Sequence, residues 1–182
     1  MMLLVAVPAT LATQAQSSKE LKRASKRAKI DEMAAAALQE LFSKSKKAQI
    51  LYHKAYGYAV FDNLKFALLI SGGGGVGVAV DKDTGERTYM KMGTAGLSLG
   101  LGGQKYQVIF LVQDKMTFDD FINKGWEAGG NANAVAGPVG ANAEATFTNG
   151  MAVYQITEGG LMLQADVAGT KYWKYKKLNR GI

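Results

Sequence analysis

Few residues of this 182-residue chain are of types that support catalysis. Cysteine is absent and His53 is the only histidine, which excludes disulfides, thiolate chemistry and the usual zinc ligand sets. The adjacent acids Asp119 and Asp120 are explained as favourable charge in the first turn of a short helix over residues 118–124, capped by Thr117. The sequence therefore predicts a protein that is not an enzyme and has no cofactor or metal.

A glycine pattern could indicate nucleotide binding. Gly72, Gly74 and Gly77 have the G-x-G-x-x-G spacing after an apolar run. A dinucleotide-binding fold needs a helix to begin there, with an acidic residue about 20 positions later. Here the chain is predicted to continue as a strand into a hairpin turn at residues 81–86, so we assign these glycines to the fold and not to a ligand.

Positive charge is concentrated at two places. The chain has a formal charge of +7. Residues 16–29 contain six basic residues and one acid, and residues 171–182 contain five basic residues and no acid. The rest of the chain is therefore net acidic. Two basic ends on an acidic body predict an anionic surface as partner.

The first basic segment lies on a predicted helix, and its cations fall on the same stripe as the apolar residues that follow. One apolar stripe is formed by Ile30, Met33, Ala34, Ala37, Leu38 and Leu41. Continued toward the N-terminus, the same stripe becomes basic and consists of Lys19, Lys22, Arg23, Lys26 and Arg27, with Lys29 beside it. Unpaired cations do not enter a core. This part of the helix is therefore predicted to project beyond the body, to lie over something negative, or to be a solvated helix end.

The C-terminal segment mixes aromatic and basic residues. Residues 171–177 include Lys171, Trp173 and Lys174. Tryptophan and tyrosine beside lysine are favoured at a lipid headgroup interface, and they also stack on nucleobases. The third interpretation is an edge strand protected by lysines. We expect lipid rather than nucleic acid, because the chain is predicted to be exported.

Export is predicted from the first 15 residues. They carry no charged side chain and begin with an apolar run, followed by Pro8 and small residues that end at Ala15. The run is too short to span a bilayer and is typical of a secretory signal peptide cleaved after Ala15. The alternative is a buried N-terminal strand or helix.

Glycine divides the remaining chain into two parts. All 22 glycines lie at or after Gly57. Residues 16–56 are predicted to be helical, with a break at residues 43–47, and residues 57–182 are predicted to be a glycine-rich β body. Glycine rows on one strand face indicate tight packing or strong curling. The expected fold is α+β, with N-terminal helices on a predominantly antiparallel, strongly curved or barrel-like sheet.

Several motifs occur in the order found in a known family. They are the segment from Ala55 to Phe61 (AYGYAVF), the glycine-rich run after it, the segment from Gly93 to Gly100 (GTAGLSLG), Gln104, the segment from Gly137 to Gly140 (GPVG) and the segment from Glu158 to Leu161 (EGGL). Together they resemble the SYLF domain over roughly residues 34–179, and residues 16–182 are interpreted as one such domain.

The resemblance implies lipid binding. Eukaryotic SYLF domains bind phosphoinositides and bind or bundle actin, whereas bacterial members are exported, stand-alone, lipid-binding proteins. We therefore expect a periplasmic protein that binds anionic phospholipid headgroups at a membrane surface, with no nucleic acid partner. The alternatives are a structural or protein-interaction domain of the cell envelope and, in a eukaryotic source, an actin-binding domain.

Overall fold

The computed structural model describes residues 9–63, 74–94, 106–127, 146–157, 160–163 and 170–181. The elements in chain order are α1 (Ala9–Lys44), α2 (Lys46–Lys54), β1 (Gly57–Asn63), β2 (Gly74–Asp81), β3 (Arg87–Thr94), β4 (Tyr106–Val112), α3 (Lys115–Asn123), β5 (Trp126–Glu127), β6 (Met151–Thr157), β7 (Gly160–Leu163) and β8 (Thr170–Lys174). The strand predicted around residues 96–102 and the end of the hairpin predicted to reach residue 167 lie outside the described residues.

The strands form one eight-stranded sheet in the order β5-β8-β3-β2-β1-β4-β6-β7. Every neighbouring pair of described strands is antiparallel. Helices α1 and α2 precede the sheet and pack on one of its faces. The predicted α+β class, with N-terminal helices on an antiparallel sheet, is confirmed.

The sheet is strongly curved, as ring contacts across it show. Phe110 in β4 and Tyr172 in β8 are separated by three intervening strands, yet their ring centroids are only 5.0 Å apart. In a flat sheet those strands would be roughly 19 Å apart at a spacing of about 4.8 Å. Phe61 in β1 also lies 4.7 Å from Tyr172. The sheet therefore forms a half-barrel with an aromatic concave face.

Glycine is required on the concave face of β2. A Cβ added at Gly77 would overlap the Val60 carbonyl oxygen and lie 2.5 Å from Phe61 Cδ1. At Gly75 it would overlap the Asp62 carbonyl oxygen and lie 2.7 Å from Met92 Cγ. The obstacles are the backbone of the neighbouring strand and the side chains of Phe61 and Met92 on the same face, and not a covering helix. For the glycine row of β2, strong curling is therefore the correct one of the two explanations.

The two faces of the sheet bury different partners. On the convex face, strand residues including Val60, Val78, Ile109 and Tyr154 pack against Ile30, Ala34, Leu38 and Leu41 of α1. On the concave face, residues including Phe61, Met90, Phe110 and Tyr172 pack against Phe118 and Phe121 of α3. This alternation follows from the two-residue period of strand side chains.

The predicted break after the long helix is confirmed at Ser45. Its hydroxyl accepts a hydrogen bond from the Ala48 backbone N–H at 3.1 Å, so that it caps α2. At the other end of α2, Lys82 donates to the carbonyl oxygens of Tyr52 and Ala55, each at 2.7 Å. A lysine at the carbonyl end of a helix is favourable.

The predicted cap of α3 is wrong by one turn. The N-cap is Asp114, whose Oδ1 accepts from the Thr117 backbone N–H at 2.9 Å. Asp114 takes this role because its carboxylate reaches the Thr117 backbone N–H, one of the N–H groups at the start of a helix that a capping side chain satisfies. Asp119 and Asp120 consequently lie beyond the first turn, where each pairs with a lysine four residues away on the helix.

The prediction of an edge strand over residues 171–177 is also wrong. β8 lies between β3 and β5, with Tyr172 opposite Trp126 and Lys171 opposite Glu127. The chain then leaves the sheet and residues 175–181 form a turn, named here the C-terminal turn. Three long-range hydrogen bonds from side chains of α1 hold this turn beside the helix. The candidate site lies between the turn and α1.

Candidate functional site

The C-terminal turn takes the place of the sheet beneath the first half of α1. Leu178 is buried in the same core cluster as Ile30 and Ala34. Arg27 donates from Nε to the Leu178 carbonyl oxygen at 2.7 Å and from Nη2 to the Arg180 carbonyl oxygen at 2.8 Å. The stripe that rests on the sheet after Ile30 therefore rests on the C-terminal turn before it.

Asn179 fixes the C-terminal turn to the sheet. Its Oδ1 accepts from the Tyr89 backbone N–H at 2.9 Å, and its Nδ2 donates to the Tyr89 carbonyl oxygen at 2.7 Å. The same Nδ2 lies 2.9 Å from the carbonyl oxygen of Tyr175, whose own N–H donates to the Tyr89 carbonyl oxygen at 2.8 Å. The side-chain amide thus continues the pairing of β3 where β8 ends.

A second contact fixes α1 at the junction of its two halves. The Tyr89 hydroxyl donates to Asp31 Oδ2 at 2.9 Å. Burial, together with this hydrogen bond, raises the pKa of Tyr89 to about 12. The Arg87 guanidinium lies 3.6 Å from the other carboxylate oxygen. The register of α1 against β3 is therefore held by a polar contact as well as by packing.

These contacts leave a cleft of about 480 Å³ between α1 and the C-terminal turn. Six of its lining residues are cationic and none is acidic; the lining consists of Lys19, Lys22, Arg23, Lys26, Tyr175, Lys177, Leu178 and Arg180. The acid nearest in sequence, Glu20, forms ion pairs with Arg23 and Arg27. Apart from Arg23, the other five lining cations have no ion-pair partner among the described residues, and five like charges in one concavity create a positive local potential.

Tyr175 forms the polar wall of the cleft. Its hydroxyl oxygen accepts from Lys26 Nζ at 3.3 Å. Its ring lies 4.9 Å from that ammonium nitrogen and 4.3 Å from Lys91 Nζ. Contacts of this kind hold ammonium groups without neutralising them. The cleft can therefore attract an anion, and the tyrosine hydroxyl hydrogen is available to a ligand oxygen.

The structure brings together four of the predicted lipid-binding residues, namely Lys19, Lys22, Arg23 and Lys26. Arg27 lies on the same stripe, but its donors are occupied by the C-terminal turn and Glu20, and its side chain is only 15% exposed. Lys29 is exposed on α1 and is not part of the lining.

The predicted residues of β8 lie elsewhere. Lys171 pairs with Glu127 at 3.0 Å, and Lys174 donates to Asn123 Oδ1 at 3.1 Å. Trp173 is 44% exposed and is directly opposite Lys91 in the β3–β8 register. Cross-strand partners share a face of the sheet, and Lys91 also contacts the Tyr175 ring. Of this group, only Trp173 is thus opposite a residue that contacts the cleft lining, and it is not itself a lining residue.

Sequence reasoning missed Lys177 and Arg180 as site residues. Both belong to the basic C-terminal segment, so the signal was the charge of that segment. What could not be read from the sequence is that the turn folds back onto α1 and joins the two basic ends into one site. The buried hydrophobic residue Leu178, between two exposed cations, is the local sign of a docked turn.

Other site chemistries have little support in the part of the chain that the structure describes. No group of three or more acidic or histidine side chains there could hold a metal ion. None of the described helices combines the length and hydropathy needed to cross a bilayer.

Fold and site together define a class: a half-barrel antiparallel sheet, covered by N-terminal helices, with a cationic cleft. Residues 93–182 match the family model of Ysc84, described as a Las17-binding protein actin regulator. The chain is 49% identical over 149 residues to Beta cell expansion factor A of Aeromonas veronii, a match that covers 82% of this chain and 57% of that protein.

The resemblance to the SYLF (Ysc84) family found in the sequence is confirmed. The family is of the actin-regulator and lipid-binding type. Its names describe regulators and binding proteins and suggest a domain without catalysis. The chain spans little more than half the length of the Aeromonas veronii relative.

Proposed function

We propose that the protein binds peripherally to anionic phospholipid headgroups and performs no catalysis. The observation that carries this proposal is the set of lysines Lys19, Lys22 and Lys26, which share one face of α1 and have no acidic partner among the described residues. An anionic bilayer supplies the missing counter-charge over an extended surface.

Binding of this kind is electrostatic and shallow. The face of α1 opposite the cleft offers only Leu21, Ala24 and Ala28 as apolar side chains, which is too little for deep insertion. Attraction between the cations and the membrane decays over a Debye length, about 8 Å at physiological ionic strength. The proposal therefore requires affinity that falls steeply with salt and is absent for neutral lipid.

Co-sedimentation with vesicles tests the proposal. The parent protein is expected to sediment with phosphatidylglycerol vesicles at low salt, and to remain in solution with phosphatidylcholine vesicles or at 1 M salt, where the Debye length is about 3 Å. Equal binding to both lipids, or binding unchanged by salt, would contradict an electrostatic headgroup interaction.

A charge-matched pair of variants locates the binding face. Lys19→Gln, Lys22→Gln and Lys26→Gln are combined in one variant, which leaves the structural Arg27 in place. Each cation near an anionic bilayer contributes about 1 kcal/mol, so three changes should weaken binding about a hundredfold. The control combines Lys46→Gln, Lys47→Gln and Lys54→Gln, three exposed lysines of α2, and should bind like the parent. Equal losses in the two variants would show that only net charge matters.

A protein partner is the second candidate function. The description of the matching family as a Las17-binding protein actin regulator favours it. Actin and acidic protein surfaces are also anionic, so the same cleft residues would be involved. Sedimentation with filamentous actin that is lost in the α1 variant, without any binding to anionic vesicles, would favour this function over lipid binding.

We also propose export to the periplasm, on the basis of the uncharged segment before Gln16. Cleavage after Ala15 would leave α1 beginning at Gln16. N-terminal sequencing of the protein recovered from a periplasmic fraction is expected to start at that residue. Recovery of the uncleaved chain from the cytoplasm alone would contradict export.

A further inference from the structure

A groove beside α3 shares no lining residue with the cationic cleft. Its volume is about 260 Å³, and two methionines, Met116 of α3 and Met151 of β6, line it together with Phe121 and Trp126. We call it the α3 groove. Thioether sulfur is a soft ligand that selects monovalent copper over hard cations. The groove therefore contains donors for a metal chemistry that the acidic and histidine side chains of this protein do not offer.

Two contacts bring the methionines to the same groove from different elements. The Gln113 backbone N–H donates to the Gly150 carbonyl oxygen at 2.8 Å, which ties the start of β6 to the residues just before α3. A Cβ added at Gly150 would lie 2.8 Å from Thr117 Oγ1, so the two chain segments are in direct contact. Met116 and Met151 are the sequence neighbours of Thr117 and Gly150. Their side chains therefore line adjacent walls of the groove.

The two methionines differ in how firmly they are held. Met151 is partly buried against the aromatic cluster of the concave face. Met116 is 75% exposed, more than the other exposed large hydrophobic residues among those that the structure describes. A methionine side chain has three rotatable bonds, and packing does not restrict the one at Met116. Its sulfur can therefore turn toward the Met151 sulfur when an ion is present.

Trp126 supplies an aromatic wall in a fixed position. Its ring centroid lies 5.3 Å from that of Phe110 and 5.7 Å from that of Tyr172. Gly125, with φ of +78°, lets the chain pass close to β8, because a Cβ there would lie 2.6 Å from the Tyr172 carbonyl oxygen. The face of an indole ring attracts cations more strongly than the other aromatic side chains do. The ring is thus placed to contact a cation held by the thioethers.

The oxygen atoms of the groove are engaged in other contacts. The Asp120 carboxylate pairs with Lys124 Nζ at 2.8 Å, and the Thr117 hydroxyl donates to Asp114 Oδ2 at 2.9 Å. A hard divalent ion such as calcium or magnesium takes about six or more oxygen ligands, which the described lining does not supply. A monovalent soft ion accepts a pair of sulfur ligands, so the two methionines suffice for it.

We infer that Met116 and Met151 form a binding site for a soft monovalent metal ion of the cuprous type, with the Trp126 ring beside the ion. The sequence predicts no metal because cysteine is absent and histidine is single, and that argument does not extend to thioethers. A thioether has no proton to lose, whereas thiol, imidazole and carboxyl ligands must be deprotonated before they bind a metal. The site therefore binds in weak acid as well as at neutral pH.

Titration with silver nitrate in chloride-free buffer tests the inference, because silver(I) is a redox-stable substitute for cuprous copper. The Trp173→Phe variant is used, so that Trp126 alone reports. Silver is expected to change the Trp126 emission, with equal affinity at pH 5 and pH 7, and zinc or magnesium nitrate should leave the emission unchanged. No response to silver, an equal response to zinc, or an affinity that falls more than about tenfold at pH 5 would overturn the inference.

Methionine-to-leucine variants in the same Trp173→Phe background assign the ion to the groove. Leucine keeps the volume and removes the sulfur, at a small cost in stability. Met116→Leu and Met151→Leu should each weaken silver binding about tenfold or more, which corresponds to about 1.4 kcal/mol or more. Met33→Leu, a change in α1 at a residue packed against the convex core cluster, should bind silver like the parent.

The exposed position of Met116 keeps this test independent of folding, since the Met116→Leu variant should melt at the parent temperature. Retained silver affinity in that variant, or an equal loss in Met33→Leu, would overturn the inference. Vesicle binding should be the same with and without the groove substitutions, because the cationic cleft uses other residues. The inference and the proposed function can therefore fail separately.

Discussion

The two halves of α1 present one continuous stripe to two different neighbours. After Ile30 the stripe is apolar, rests on the convex face of the sheet and is buried there. Before Ile30 it is cationic and faces the C-terminal turn across an open cleft. A single helix therefore serves both the core and a surface site, and the side chains on the stripe change character where the supporting element changes from sheet to turn.

The difference teaches how a small domain keeps cations close together. In the second half of α1, packing energy fixes the helix. In the first half, Arg27 and Asn179 fix the turn through uncharged backbone groups, so the remaining cations need no intramolecular partner. The packing of the second half of α1 on the sheet thus stabilises a cluster of cations in the first half that would repel one another in isolation.

The largest expected effect comes from the buried half of α1. Leu41 is fully buried, so Leu41→Ala should lower the free energy of unfolding by about 2–5 kcal/mol through lost burial and a cavity. Leu21, in the other half, is 68% exposed, and Leu21→Ala should change stability by less than about 0.5 kcal/mol. Urea denaturation of both variants checks the contrast, and similar losses would mean that the halves do not differ as described.

The curvature of the sheet beneath the buried half is tested at Gly77. A leucine there would collide with the Val60 carbonyl oxygen and the Phe61 ring. Gly77→Leu should therefore cost about 1–3 kcal/mol by overpacking, as measured by thermal or urea denaturation. A variant as stable as the parent would show that the concave face is not closely packed.

Arg27 sharpens the comparison in the cationic half. Its hydrogen bonds to the C-terminal turn involve a charged donor, for which removal costs about 1.5–3 kcal/mol. Arg27→Gln should lower stability by about that amount and speed amide hydrogen exchange in residues 175–181. Lys22→Gln, five residues earlier on the same cationic stripe, should leave both properties unchanged. Parent-like exchange in Arg27→Gln would show that the turn is held without this residue.

The smallest expected effect lies at the junction of the halves. The pKa of Tyr89 is raised to about 12 in the folded protein, against about 10 for an unperturbed tyrosine. The folded state therefore favours the protonated hydroxyl, so its stabilising contribution is complete below pH 10 and is lost as the pH rises toward 12. Tyr89→Phe should lower stability by about 1 kcal/mol at pH 7, with a smaller difference from the parent near pH 12. A difference that grows with pH would contradict this assignment.

The sequence predicted the buried half of α1 and most of the fold, because these depend on local periodicity. The stripe from Ile30 to Leu41, the break at Ser45 and the alternation in β1 and β2 are all short-range signals. The sequence predicts the N-cap of α3 at Thr117 instead of Asp114 because both residue types can cap a helix. The choice between them depends on the turn that precedes the helix.

The cationic half could be predicted only in part. The sequence showed that Lys19, Lys22 and Lys26 could not be core residues. It could not show that Leu178 would be buried beneath them, because that contact joins residues about 150 positions apart and depends on how β8 ends. For the same reason the sequence pattern assigns Lys171 and Lys174 to the site, although their partners in the structure are Glu127 and Asn123.

The central claim is that the cleft face of the molecule docks on an anionic membrane, and the two tryptophans test it directly. Trp173 is exposed on the sheet face that also carries Lys91, whose ammonium group contacts the Tyr175 ring, whereas Trp126 packs on the concave side with Phe110 and Tyr172. Because binding is shallow, fluorescence is measured on phosphatidylglycerol vesicles that carry a nitroxide quencher on the lipid headgroup, using Trp126→Phe to observe Trp173 and Trp173→Phe to observe Trp126. We expect stronger nitroxide quenching of Trp173 than of Trp126. Stronger quenching of Trp126, or equal quenching of the two, would contradict docking through the cleft face.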